Sequence, residues 1–548
     1  MRKIIRLWST PLALLLALAM VAASCGGDDT ASSNDAATSN KPATSNEPAT
    51  SDEAATSGAP ENADLNARLR LIGTNPPPQW DPVLTVARCD APVLSAVYDV
   101  LVRNEPDGTL IPGLAESWES PDPQTFVLHL REGVVFSDGS PFNADAVAAH
   151  IERAKTHELS TLTSLLDSID SVELVDELTL QLNLNAPRAG VMPSIFNGRA
   201  GMVPSPTAAE NADYGVDNAV GAGPYLYVSH VPDESATLDR NPTSWNVDQV
   251  YLAGIDHVGT ANEFQIDRIK DGEIDFTTMK DSNLALAEAA LASGHVNFII
   301  TPTVQYGELF IKASKAPFDD PLVRRALNHA IDRVVIADFV TEGGGAPAFG
   351  PIAPDSPAKG VTEDPYPYDP ELARELLAEA GYADGLDITV AQIEVPYYTR
   401  YAAGVQDMLA EVGVNVTLVS IAGREINKAL YERAELDAAF TATLGKSEPG
   451  LTLETRYSSS GATNPSGLAP DGFDELLAEA FGSADTAVRN GLYAQAEQLL
   501  MNEALAVPIY HNSGLSVFRP EVHNIGRGYT TCETGNFLTP SIWIEATE

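Results

Sequence analysis

The clearest pattern of apolar and polar positions lies in the second half of the chain. Asp320 and Pro321 open a predicted helix that reaches Gly343. Residues at helical spacing predict one apolar face made of Val323, Leu327, Ile331, Val334 and Val335. A second helix is predicted from Asp369 onward, with Gly381 at its end.

The next hundred residues alternate between strand and helix patterns. They predict a strand, a helix, a strand, a helix and a strand at 386–393, 399–412, 414–420, 425–434 and 436–442. This order is βαβαβ, and right-handed crossovers make its strands parallel. Ligands of open parallel sheets bind outside the carboxyl ends of the strands. We therefore expect ligand contacts in the loops that follow these strands.

Two of those loops carry side chains suited to a ligand. The loop and helix start after the first strand, EVPYYTRY, supply the candidate contacts Tyr397, Tyr398, Arg400 and Tyr401. The loop after the last strand, TLGKSEPG, supplies Lys446 and Glu448. Aromatic faces and a guanidinium can hold a partly apolar ligand with a polar end, although tyrosines at a helix start are as often core or rim residues.

The first half of the folded chain reads as mixed α/β with many short strands. Phe126, Leu128 and Leu130 alternate with Val127, His129 and Arg131, which predicts a strand. Asn143 is the predicted cap of a helix whose buried face includes Val147. Ile151 and Ala154 share that face.

The N-terminus predicts export. Basic residues precede an apolar run from Leu12 to Ala23, which is too short for a bilayer span of roughly 20 residues. Small residues lead into Cys25 and resemble a bacterial lipobox, so residues 1–24 are predicted as a lipoprotein signal peptide and Cys25 as the lipidated residue. Residues 25–64 are predicted as a disordered tether because their composition cannot form a core.

Charge and composition narrow the classes of partner. The 548 residues carry 33 Lys and Arg against 76 Asp and Glu, a formal charge of -43. Such a charge repels phosphate backbones and anionic lipid surfaces, so no nucleic acid and no membrane contact beyond a lipid anchor are expected. Three Cys and nine scattered His predict no metal site and no cofactor.

Sequence signatures of catalysis are weak. The segment Gly445-Lys446-Ser447 ends like a phosphate-binding loop, but Phe440 stands where that motif needs its first Gly. Ser356 and Lys359 form an S-x-x-K pattern, which leaves a secreted serine hydrolase as an alternative hypothesis. The chain is otherwise predicted not to be an enzyme.

Several collinear runs resemble one protein family. They include YDVLVRNEPDGTLIPGLAESWES, FVLHLREGVVFSDGSPFNADAV, GAGPYLY, LDRNPTSW, IKDGEIDF, APFDDPLVRRALNHAID, YDPELARELLAEAGY and VQDMLAEVGVNVTL. Together they resemble the extracellular solute-binding proteins of ABC importers, family 5, the oligopeptide, dipeptide and nickel-binding group. The resemblance extends from about residue 68 to 545.

The resemblance implies an α/β fold of the two-lobe periplasmic-binding-protein type (class II, cluster C), a clamshell with an extra subdomain in the first lobe. On this sequence the first lobe would span 65–307, the second lobe 308–510, and residues 511–548 would return to the first lobe. Trp80 is expected among the ligand contacts of the first lobe. The two Cys that remain, Cys89 and Cys532, would both lie in the first lobe and are predicted to form a disulfide.

The implied function is capture of a peptide-like or other small polar solute by an exported, membrane-anchored monomer. The implied partners are an ABC permease and its ATPase. A sensory receptor that binds the same way but signals to a membrane protein is a further alternative.

The ligand class is predicted from a missing anchor. Peptide-binding members hold the α-ammonium with an Asp in a motif similar to G-W-x-x-D-x-x-[DE]-P. Here Glu448 matches the motif's end, but Gly445 stands at the Asp position and Ala442 at the Trp position. We therefore expect weak binding of unmodified peptides and a carboxylate, phosphate or sugar-like face against Tyr397, Tyr398, Arg400 and Lys446. Glu448 as a substitute amine partner stays open.

Overall fold

A computed structural model describes residues 58–72, 76–85, 91–105, 108–211, 213–232, 234–259, 264–526 and 538–546. These belong to one compact unit, Ser57–Glu548. The predicted signal peptide, most of the tether, and Cys25, Cys89 and Cys532 lie outside the described residues.

The strands are β1 Arg68–Ile72, β2 Val102–Asn104, β3 Leu110–Pro112, β4 Ala115–Asp122, β5 Thr125–Leu130, β6 Ile169–Leu174, β7 Thr179–Leu184, β8 Tyr225–Val231, β9 Ser235–Arg240, β10 Gly254–Val258, β11 Phe276–Lys280, β12 Asn297–Ile311, β13 Ala346–Pro347, β14 Leu386–Ile393, β15 Val414–Ile421, β16 Ala438–Thr443, β17 Pro508–Phe518, β18 Val522–His523 and β19 Trp543–Ile544.

The helices are α1 Ala91–Tyr98, α2 Ala144–Thr156, α3 Thr163–Leu166, α4 Met192–Ile195, α5 Pro206–Ala209, α6 Gln265–Lys270, α7 Leu284–Ala292, α8 Pro321–His329, α9 Arg333–Thr341, α10 Pro370–Glu379, α11 Pro396–Glu411, α12 Ile426–Glu432, α13 Pro449–Tyr457, α14 Phe473–Gly482 and α15 Thr486–Asn502. Within the described ranges, none of them combines the length and apolar character needed to cross a membrane.

Two long antiparallel strands, β12 and β17, connect the halves of one large mixed sheet. Its strand order is β15-β14-β16-β12-β17-β11-β1-β10-β9-β8, and β13 pairs with β17. The start of β12 pairs with the end of β17, and its end pairs with β16. We call the elements between β12 and β17 the second lobe and the remainder the first lobe. The predicted boundaries at 307/308 and 510/511 fall within these two strands, and the boundary positions stay a prediction.

The βαβαβ pattern of the second lobe is present as predicted. β14 pairs in parallel with both β15 and β16. α11 begins at Pro396, three residues before the predicted start, because proline is well tolerated in the first turn of a helix.

The single helix predicted from Asp320 is two helices. α8 ends at His329, and Asp332 caps α9 by accepting a hydrogen bond from Val335 N at 3.0 Å. The break rotates the second helix, so Val334 and Val335 are exposed while Val323 is buried. Periodicity alone predicted one continuous face, because it does not register capping residues. An Asp within a helical pattern can also be the N-cap of a new helix, and Asp332 is one.

The first lobe contains an extra subdomain built on the sheet β4-β5-β7-β6. β5 forms where the alternation predicted a strand, and Phe126, Leu128 and Leu130 are buried in it together with Val127. Asn143 caps α2 by accepting a hydrogen bond from Ala146 N at 3.1 Å. The buried face of α2 includes Val147, Ile151 and Ala154.

Two buried histidines predict acid sensitivity. His150 Nε2 lies 3.0 Å from the carbonyl oxygen of Ala200, and His511 Nε2 lies 3.2 Å from that of Gly350. Burial lowers the pKa of His150 to about 4. Burial, with the nearby charge of Lys359, lowers the pKa of His511 to about 3.

Both histidines should make the fold less stable in acid. Below about pH 6.5 the unfolded chain binds protons that the folded chain does not, so acidification toward pH 4 favours unfolding. Each pKa unit corresponds to about 1.4 kcal/mol. Urea unfolding measured between about pH 6.5 and about pH 4 should show a steep fall in the free energy of unfolding. This fall should be shallower in the His150→Gln and His511→Gln variants. An unchanged slope in both variants would contradict the assignment.

Candidate functional site

The loops after β14 and β16 lie where the second lobe faces the first. β16 is antiparallel to β12, and its last residue, Thr443, pairs with Tyr306. The pairing of β12 with β17 shifts between Pro302 and Tyr306, where β12 passes from one lobe to the other. Because β14 and β16 are parallel, they end at the same edge of the sheet. The loops that follow both strands therefore face the cleft between the lobes.

A cavity of about 660 Å³ lies in this cleft. The first lobe lines it with Asn104, Gly108, Thr109, Leu110, Trp118, Glu119, Ser120, Gly190, Pro193 and Ser194, and β12 adds Val304. The second lobe lines it with Pro351, Ile352, Ala353, Ser356, Pro357, Lys446, Ser447, Glu448, Pro449, Thr452, Leu453, Ala484, Thr486, Arg489 and Asn490. The volume is in the range of small-molecule sites, and the mixture of apolar walls with a few polar groups is typical of them.

Glu448 is a buried carboxylate in the wall of the cavity. It directly precedes Pro449, the first residue of α13. One carboxylate oxygen accepts a hydrogen bond from Arg489 Nε at 3.0 Å, and the other accepts one from the Ser194 hydroxyl at 2.8 Å. Ser194 belongs to the first lobe, so this carboxylate connects the two lobes. Burial, and then the Glu448 charge, raise the pKa of the neighbouring Tyr493.

The loop that carries Lys446 is fixed by its backbone. Lys446 N donates to the Thr452 hydroxyl at 2.8 Å. A side chain at Gly445 would place its Cβ 2.1 Å from the carbonyl oxygen of Val304, so the close approach of the two backbones requires glycine here. Gly445, which stands where the peptide-binding motif has its Asp, is therefore needed to bring this loop against β12.

The loop 350–361 forms another wall of the cavity and is held by Glu497. Lys359 Nζ donates to the carbonyl oxygen of Ile352 at 2.7 Å and to Glu497 Oε1 at 3.2 Å. Burial lowers the pKa of Lys359, and the opposite charge of Glu497 acts against that shift. These contacts give Lys359 a structural partner of opposite charge and do not favour the hydrolase hypothesis built on Ser356.

The tyrosines after β14 contact residues of β11 and β17. Lys280 Nζ lies 4.2 Å from the ring centre of Tyr397 and 5.3 Å from that of Tyr398. Asn512 Nδ2 donates to the Tyr397 hydroxyl at 2.7 Å. Tyr401 is fully buried in the second lobe. The aromatic faces that the sequence marked for a ligand thus hold a cation of the protein itself.

The remaining predicted contacts lie elsewhere. Arg400 is exposed, pairs with Glu342 at 3.2 Å and donates to the carbonyl oxygen of Phe339 at 2.6 Å, at the end of α9. Trp80 is fully buried and packs edge-on against Tyr227 with ring centres 5.0 Å apart. Of the seven predicted ligand contacts, only Lys446 and Glu448 are among the residues that line the cavity.

Sequence reasoning missed Trp118, Ser194 and Arg489, which line the cavity from distant parts of the chain. Arg489 lies in the first turns of α15, where nothing in the local pattern distinguishes it from a surface residue. These three residues share only their position in the folded protein, where they line the same cavity. Among the described residues, no three His, Cys, Asp or Glu side chains converge as a metal site.

Comparison with known proteins agrees with this architecture. The profile of the family "Bacterial extracellular solute-binding proteins, family 5 Middle" matches residues 109–464. Heme-binding protein A of Haemophilus influenzae is 28% identical over 80% of this chain and 85% of its own length. Di/tripeptide-binding protein 1 of Pseudomonas aeruginosa is 29% identical over 78% of this chain and 86% of its own.

Solved structures share the fold. The periplasmic binding protein DppA of Helicobacter pylori, in complex with the peptide STSA, superposes with a TM-score of 0.73 at 23% identity, covering 88% of this chain and 98% of its own. HbpA2 of Haemophilus parasuis superposes with a TM-score of 0.74 at 25% identity, covering 88% of this chain and all of its own. The two-lobe architecture, the interlobe cavity and the profile match agree: the chain belongs to the bacterial extracellular solute-binding proteins of family 5.

Proposed function

We propose that this protein captures a small polar or peptide-like solute between its lobes and delivers it to the permease of an ABC importer. The observation that carries the proposal is a cavity of about 660 Å³ with walls from both lobes. The relatives named for di/tripeptides and for heme support solute capture. Because these names differ in ligand, the solute of this chain has to be inferred from its own cavity. No bond is made or broken in this function.

The contacts between the lobes indicate how the two lobes would close around a solute. Arg188 of the first lobe donates to Glu454 of the second at 3.0 Å and lies over the ring of Phe481 at 4.5 Å. A second contact between the lobes joins Lys280 of the first lobe to Tyr397 of the second. A bending motion of β12 and β17 would make or break these contacts together and would exclude water from a bound solute.

Export and anchoring belong to the same proposal. The apolar N-terminal run and the lipobox-like Cys25 support a lipoprotein on the outer face of the plasma membrane, in an extracellular or periplasmic space. A monomeric state and the pairing of Cys89 with Cys532 stay predictions.

Two experiments test this proposal. One identifies the bound ligand, and the other uses a substitution in the cleft that keeps the lobes from closing. Native mass spectrometry of protein purified without denaturation should reveal a bound solute, and adding it back should reduce the radius of gyration in solution scattering. In Gly190→Ala the new Cβ would lie 1.9 Å from the carbonyl oxygen of Ser483 and hold the lobes apart. We expect that variant to bind about tenfold or more weakly and to compact less, since an overpacked contact costs about 1–3 kcal/mol.

Gly491→Ala is the matched control. No atom lies within 4 Å of its new Cβ, so it should behave as the native protein does. Absence of any bound solute together with an unchanged radius of gyration would remove the capture function.

A further inference from the structure

The extra subdomain of the first lobe contacts the second lobe directly, through the segment 187–194 that follows β7. Arg188 holds the carboxylate of Glu454 in α13 with two hydrogen bonds, and the bond from Nη2 to Oε2 measures 3.0 Å. The same guanidinium lies 4.5 Å from the ring centre of Phe481 in α14. We call the contact between this segment and the facing residues of α13 and α14 the subdomain seam.

The backbones of the two lobes meet closely at the subdomain seam. A Cβ at Gly190 would lie 1.9 Å from the carbonyl oxygen of Ser483. A Cβ at Gly482 would lie 3.2 Å from side-chain atoms of Pro123 and Pro187. Glycine permits this approach because it has no side chain. The seam is therefore a fitted surface on both lobes, with the ion pair at one point of it.

The segment 187–194 is fixed to its own subdomain. The backbone amides of Arg188 and Ala189 donate to the carbonyl oxygen of Pro123 at 2.9 and 3.0 Å. The Ser120 hydroxyl donates to the carbonyl oxygen of Ala189 at 3.3 Å. Pro123 lies in the turn between β4 and β5, so the segment and the subdomain sheet move together. A force on Arg188 therefore acts on the whole subdomain.

The ion pair of the seam is suited to forming and breaking. The side chains of Arg188 and Glu454 are 18% and 32% exposed, so both charges regain water when the lobes separate. Within the described part of the chain, neither charged group makes another hydrogen bond. A partly exposed pair contributes a modest free energy, which biases an equilibrium between closed and open lobes without locking it.

We propose that the extra subdomain is a clamp that holds the lobes closed, with Arg188 as its positioning residue. Neither Arg188 nor Glu454 is among the residues that line the cavity, so the clamp acts on a solute only through the arrangement of the lobes. Apparent affinity is proportional to the fraction of molecules in the binding-competent form, so loss of the clamp weakens capture without changing a solute contact. This inference rests on the proposed function, because closure is the step on which the clamp acts.

Charge reversal across the seam tests the clamp. Solution scattering compares the full native chain, purified and extensively dialysed, with Arg188→Glu, Glu454→Arg and the double variant Arg188→Glu/Glu454→Arg. Each single variant places like charges against each other, so we expect its closed-to-open ratio to fall about tenfold and its radius of gyration to rise. The double variant restores an ion pair in the opposite order and should return toward the native radius, which a purely structural role of either residue would not produce.

Arg268→Glu is the matched control. It makes the same change of charge as Arg188→Glu, but it breaks a pair with Glu273 that lies within the first lobe, so its radius of gyration should equal that of the native protein. Single variants as compact as this control, or a double variant no more compact than the single ones, would overturn the proposal. Failure of the proposed function would instead appear as the absence of a co-purified solute and of compaction on adding it back, which this comparison of variants does not measure.

Discussion

Replacing Glu308 with leucine is expected to lower the free energy of unfolding by about 3–5 kcal/mol, because it leaves a buried arginine without its counterion. Glu308 is fully buried, and Arg456 is 4% exposed. Arg456 Nε donates to Glu308 Oε1 at 2.8 Å, Thr443 donates to the same oxygen at 2.6 Å, and the Tyr457 hydroxyl donates to Oε2 at 2.7 Å. Loss of the Glu308 carboxylate therefore removes the acceptor of several buried hydrogen-bond donors at once.

Equilibrium unfolding in urea measures this effect. The double variant Glu308→Leu/Arg456→Met should recover much of the lost stability, because no unpaired charge remains in the core. Glu432→Leu is the control, since Glu432 forms an exposed pair with Lys428 and should change little. A Glu308 variant as stable as this control would show that the buried pair does not support the second lobe.

Replacing Glu497 with glutamine is expected to destabilise the fold by a similar amount, about 3–5 kcal/mol, and to loosen a wall of the cavity. The buried carboxylate accepts hydrogen bonds from the backbone amides of Ile352 at 2.9 Å, Gly360 at 2.7 Å and Val361 at 2.9 Å. It also pairs with Lys359 at 3.2 Å. Glutamine removes the charge opposite this lysine and turns an amide donor toward backbone donors.

Two readouts separate the local effect from the global one. Urea unfolding gives the loss of stability, and hydrogen exchange of residues 350–361 should rise well before global unfolding, since local opening exposes those amides. Glu479→Gln removes an equal charge from an exposed position on α14 and should affect neither. Unchanged exchange in the Glu497 variant would mean that other contacts hold this loop.

Local patterns in the sequence determined much of the fold. The spacing of apolar residues predicted the βαβαβ unit, and Asn143, Asp320 and Asp369 cap helices as their side-chain chemistry requires. These predictions hold because periodicity and capping depend on residues within one or two turns. The break between α8 and α9 was missed because Asp332 has two local interpretations, and packing decides between them.

The site was determined by the tertiary structure. The sequence placed Lys446 and Glu448 at the edge of the sheet that lines the cavity, but Ser194 lies 254 positions away from Glu448. It gave no sign that Arg489 would neutralise that acid, or that Lys280 would cover Tyr397. Charge pairing across a cleft depends on distances of a few ångströms between segments that are remote in the chain. Local periodicity carries no information about such distances, so only the folded lobes decide which charges are left for a ligand.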